Sequence, residues 1–271
     1  LVLFSLITVG YSANALGGAG GPLAVLIIAI VAAELGKAVS KETKVDILVT
    51  PLVTIFAGVG LSMLIAAPIG AAASQVGTLI MWATEQAPLV MGILVSVIVG
   101  VALTLPISSA AICAALGLTG LAGGAAVAGC CAQMVGFAVM SYKENGVGGL
   151  VSQGLGTSML QMGNIIKNPR IWIAPTLASA ITGPLATCLF HFEMNGAAVS
   201  SGMGTCGLVG QIGVYTGWVS DIAAGTKAAI TPMDWAAMVL LCFVLPAVLS
   251  VAFCEVERKL GWIKDGDLKL N

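Results

Sequence analysis

Charge is what this sequence lacks. Only 8% of its 271 residues are Asp, Glu, Lys or Arg, where a soluble domain carries about 25%. The few lysines and arginines form no basic stripe, which removes nucleic-acid binding from the readings. Histidine occurs once, at His191. The seven cysteines make no C-x-x-C pair and lie in apolar or near-apolar stretches. Neither a zinc site nor a redox pair is expected from them, and the neighbours Cys130 and Cys131 read as small packing residues. No G-x-x-x-x-G-K-[ST], H-E-x-x-H or G-x-S-x-G occurs. An enzyme with its own catalytic centre is therefore not expected, and no metal or cofactor is called for.

What is present is apolar: 58% of the residues are hydrophobic. The long apolar runs contain Gly and Pro and do not alternate, which argues against an outer-membrane barrel. The expected fold is an all-α polytopic membrane protein, a helix bundle with broken helices and re-entrant hairpins. Residues 1–271 are read as one transmembrane domain. Spans are expected at about 22–36, 47–67, 88–104, 105–120 (broken), 121–142, 171–190 and 234–255. A re-entrant hairpin is expected at 191–217, and Pro68 is expected to end the second span. Leu1 to Tyr11 reads as the end of a truncated span, followed by a glycine-rich break from Ser12 to Gly21. With no initiator Met, Leu1 to Val9 is not read as a cleaved signal peptide. In 147–166, Val147, Val151, Leu155, Met159, Met162 and Ile166 recur at helical spacing with Ser152, Gln153, Ser158, Gln161 and Asn164 between them. That predicts an amphipathic helix lying at the membrane surface or against the bundle.

All the Lys and Arg but Lys227 fall in three places: Lys37, Lys41 and Lys44; Lys143, Lys167 and Arg170; and Arg258, Lys259, Lys264 and Lys269. The positive-inside tendency puts these in the cytoplasm. The regions around Glu85 and around Asp221 to Asp234 then face outward. Trp82, Trp172, Trp218 and Trp235 sit near expected span ends, as an aromatic belt would.

The candidate site lies between Gly183 and Tyr215. His191, Glu193 and Asn195 interrupt apolar sequence, and ionisable residues at membrane depth usually mark a pathway or a binding site. On a helix His191 and Glu193 would not share a face; in extended backbone they would. Ser200, Ser201, Thr205 and Gln211 add neutral donors and acceptors. Gly204 and its neighbouring glycines permit close backbone approach, though small residues also serve helix packing. A carboxylate among hydroxyls suits a sugar or polyol. A second proline-broken segment, starting at Pro106, offers Ser108, Ser109 and Gln133. Paired broken segments point to transporter sites.

The run NPRIWIAPTLASAITGPLATCLF followed by GMGTCGLVGQIG resembles the membrane permease component, enzyme IIC, of bacterial phosphotransferase systems, and more narrowly the PfoR-like branch. The resemblance implies a multi-pass protein of the bacterial cytoplasmic (inner) membrane. It further implies a homodimer with two re-entrant hairpins, moving a sugar or sugar alcohol coupled to phosphorylation by a separate IIB protein. The Gly-Ile-Thr-Glu motif of the glucose-type branch is absent; Glu193 in HFEMNG is its nearest substitute. Two other readings stand beside the permease: a IIC-fold membrane sensor or regulator, and a proton-coupled secondary transporter without phosphotransfer.

Overall fold

The computed structural model describes residues 21–40 and 46–270. The readings placed on Leu1 to Gly20 and on Lys41 and Lys44 lie outside these residues. The described residues are all-α, and no strand occurs among them. Among the described residues, four helices are long and apolar enough to cross a membrane: Leu48–Gln86, Gly120–Met140, Pro169–Leu189 and Pro232–Lys259. The chain divides into two compact units, residues 1–77 with 114–116, and 78–113 with 117–271.

In the first unit α1 (Gly21–Val39) packs on α2 (Asp46–Gln86). Ala24 and Ile28 of α1 meet Ala66 of α2, with Leu61, Ile65 and Ile69 around them. Helix α2 does not stop at Pro68. It runs through both Pro51 and Pro68 for 41 residues, about 61 Å at the α-helical rise. A proline costs a helix one hydrogen bond and about 3 kcal/mol. Unwinding the helix in a dry environment would strand several more backbone groups, so the helix continues.

The second unit is built around α5 (Gly120–Met140), whose span is 94% buried. α3 (Pro88–Thr104) and α8 (Ile173–Pro184) pack on it and on each other, and α11 (Leu245–Lys259) packs on α5 and α8. Small residues permit these contacts. A Cβ on Gly129 of α5 would strike the main chain of α3 at Ser96. Widened turns adjoin two further prolines. Leu185–Leu189 extends α8 past Pro184, and Leu240–Val244 joins α10 (Pro232–Val239) to α11 just before Pro246. The second of these turns holds the carbonyl of Cys242, four residues before Pro246, and so relieves the clash that proline brings to a regular helix.

Between α3 and α5 only one short helix forms, α4 (Ser109–Leu116). After α8 the chain is extended, and Met194 pairs with Gly120 in an isolated antiparallel bridge. It then runs beside α5. Ser201 Oγ donates to Leu118 O at 2.7 Å, and the Thr205 hydroxyl donates to Gly154 O and lies 3.6 Å from Met134 Sδ. Gly120 and Met134 lie about 21 Å apart along α5. The chain turns through Gly204, Gly207 and Leu208, all at positive φ, and returns as α9 (Val209–Ala223). The two broken segments touch: Ser109 Oγ donates to Gly202 O at 2.6 Å.

Residues 147–166 are not one helix. α6 (Tyr142–Val151) gives way to a wide turn at Ser152–Gly156, a tight turn at Ser158–Gln161 and α7 (Met162–Lys167). The segment is also inside out. Gln153, Ser158, Gln161 and Asn164 are buried, while Val147, Val151, Leu155, Met159 and Ile166 are exposed. Gln153 donates to Ser141 Oγ, Gln161 to Gln153 Oε1 and to Leu268 O, and Asn164 to Gln161 Oε1 and to Lys269 O. The polar side of the pattern thus grips the main chain after α11, leaving the apolar side outward.

Candidate substrate site

Local backbone builds the site. His191 sits at φ 43°, a turn that ends the α8 helix. Phe192 and Met194 then point into the core with Val127, Val214 and Trp218. Side chains alternate along extended backbone, so His191, Glu193 and Asn195 fall on the opposite side. The crossing is tight: a Cβ on Gly124 would overlap the Phe192 carbonyl. Glycine at that position lets the extended segment lie against α5.

These three side chains line a cavity of about 590 Å³, within the ~300–1,000 Å³ usual for ligand pockets. Its other walls include Trp218 and Asp221 of α9, Lys227 of the following loop, and Met233 and Asp234 of α10. Asn195 joins the parts. Its Nδ2 donates to Glu193 Oε2 at 3.1 Å and to Asp221 Oδ2 at 2.9 Å, and its Oδ1 accepts from Gly120 N at 3.2 Å. A backbone donor on one side and two carboxylates on the other fix which way the amide faces. Asp221 O accepts from Thr226 N and Lys227 N and so shapes the loop. Lys227 Nζ pairs with Asp234 Oδ1 at 2.8 Å. Asp234 also caps α10, exchanging hydrogen bonds with Thr231. Three carboxylates face one ammonium across the cavity, so acidic groups dominate its lining. Glu193 is exposed to the cavity rather than packed. The arrangement offers acceptors to hydroxyl groups beside an indole.

The other residues singled out from sequence lie outside this cavity. Ser201 and Thr205 donate to main-chain carbonyls, Ser200 is buried against Gly213, and Gly204 packs on Cys130. Gln211 donates to Cys131 Sγ at 3.2 Å. Ser108 accepts from Ala111 N at the start of α4, and Ser109 bonds Gly202. Gln133 is fully buried, accepts from Trp172 Nε1 and Thr104, and donates to Thr176 and Ser179. Asp221, Lys227, Asp234 and Trp218 were not among the expected site residues. Their signal was available: three charges within fourteen residues, in a chain poor in charge, just before the last span.

A family model described as "Phosphotransferase system, EIIC" matches residues 3–270. No match was found among curated proteins, and none among solved structures. With nearly the whole chain covered by that model, and with an all-α architecture carrying several membrane-crossing helices, the protein belongs to the EIIC family of the phosphotransferase system.

Proposed function

We propose that this permease component binds and translocates a sugar or sugar alcohol through the cavity beneath Glu193, on a hairpin that re-enters the membrane alongside α5. The observation that carries the reading is the Asn195 junction. It presents Glu193 and Asp221 side by side in a polar cavity within an otherwise apolar protein. Carboxylates accept strongly from hydroxyl donors, and Trp218 supplies an apolar face. The cavity lies at the end of the second unit that holds a single cation, Lys227. The other seven Lys and Arg of that unit lie at the opposite end, near the C-termini of α5 and α11 and the start of the Pro169–Leu189 span. By the positive-inside tendency the cavity opens outward, and the basic end meets a separate IIB protein in the bacterial cytoplasm. Glycine-rich faces and the family support a homodimer, and the NPRIWIAP and GMGTCG runs support the PfoR-like branch.

The test is uptake of sugars and sugar alcohols by vesicles reconstituted with the wild-type chain and with Glu193→Ala. Loss of uptake in a variant that keeps its size-exclusion profile supports the reading. Uptake equal to wild type places the site elsewhere. Binding without uptake, in the presence of a IIB protein, favours a sensor. A monomeric mass at every working concentration would overturn the dimer.

A further inference from the structure

Trp218 lines the cavity yet is only 5% exposed. Lys227 Nζ lies 5.5 Å from its ring centre, and Trp235 meets it edge-on at 5.6 Å. The same ammonium bonds Asp234, and both partners keep about a quarter of their side-chain surface open. An indole face beside a carboxylate is what a sugar ring would use, through its apolar C–H face and its hydroxyl donors. In this structure a lysine of the chain itself holds both.

We propose that Lys227 is a tethered occupant of the site, which a ligand must displace, and that it thereby sets which ligands enter. This rests on the reading of the cavity as the substrate site. The main chain at Lys227 is anchored to Asp221 O, so the side chain can move without the loop. It has somewhere to go. Glu193 and Asp221 line the same cavity, and neither pairs with a cation among the described residues. A neutral ring can take the indole face and donate to Asp234 while the ammonium moves to Asp221 or Glu193. An anionic ligand meets three carboxylates and a single cation, and it is refused.

The experiment titrates the full-length protein in detergent with D-glucose, D-mannitol and D-glucose 6-phosphate, read by tryptophan fluorescence and calorimetry. Wild type is compared with Lys227→Met, which keeps an apolar stem, and with Lys227→Ala. Displacing a cation–π contact and a half-open ion pair costs affinity, so both variants are expected to bind the neutral probes about tenfold tighter. Binding first detected in the variants also supports the proposal. Unchanged or weaker binding in Lys227→Met overturns it, as does wild type binding D-glucose 6-phosphate as tightly as D-glucose. If Glu193→Ala abolishes binding while Lys227→Met leaves it unchanged, the site reading stands and this inference falls. No binding of any probe by any variant removes both.

Discussion

Glu193→Gln keeps the size of the side chain and removes its charge. A hydrogen bond to a charged group contributes about 1.5–3 kcal/mol against roughly 0.5–1.5 for a neutral one. Ligand affinity is therefore expected to fall about tenfold, and further in Glu193→Ala, with the protein still folded because the side chain faces the cavity. Gln133→Leu should do the reverse. It strands Trp172 Nε1, whose hydrogen bond at 2.9 Å goes to Gln133. That should cost about 1–3 kcal/mol of stability, read as a lower melting midpoint with affinity unchanged in the folded fraction. The two residues looked alike in sequence: each is polar within an apolar run. What separates them is whether the partner is the protein itself, and only the coordinates supply partners. Asp221, Lys227 and Asp234 stood out as charges in a chain poor in charge, yet they read as an ordinary loop at a span end. Nothing in sequence spacing shows that Asp221 folds back on Asn195, 26 residues earlier.

Among elements, the extended segment 192–195 depends on the glycines of α5. Gly124→Ala places a methyl against the Phe192 carbonyl, and backbone cannot give way as a side-chain end can. Displacing the segment is expected to cost about 1–3 kcal/mol and to weaken ligand binding, since Glu193 and Asn195 move with it. Thermal unfolding and ligand titration on one preparation would show both losses together. The all-α class was legible, because apolar runs between glycine and proline breaks leave little choice. Two features were not. Pro68 reads as a stop when local rules are applied alone, but dryness favours continuing. The 3.6 periodicity of 147–166 was real in the residues and wrong in its consequence. The polar stripe turns inward because it finds partners there, in Ser141 and the main chain after α11, and it wraps an irregular path rather than a helix.

For the whole molecule, the sorting of charge makes a topological statement. A cysteine probe at Ala224, beside the cavity, is expected to react with a membrane-impermeant reagent in intact cells, and one at Lys264 only after permeabilisation. Labelling of Lys264 from outside would invert the orientation and put the cavity in the cytoplasm.

The grip on the chain after α11 has a consequence in time. Gln161 and Asn164 bond carbonyls 107 and 105 residues further on, and Asn145 accepts from Leu270 N, 125 residues on. At about 5–20 residues per second of synthesis, those carbonyls follow their partners by roughly 5–20 s. Throughout that interval a row of amides waits for main chain that has yet to be made. Until then those amides can bond only to water or to one another, so this part of the fold is completed last.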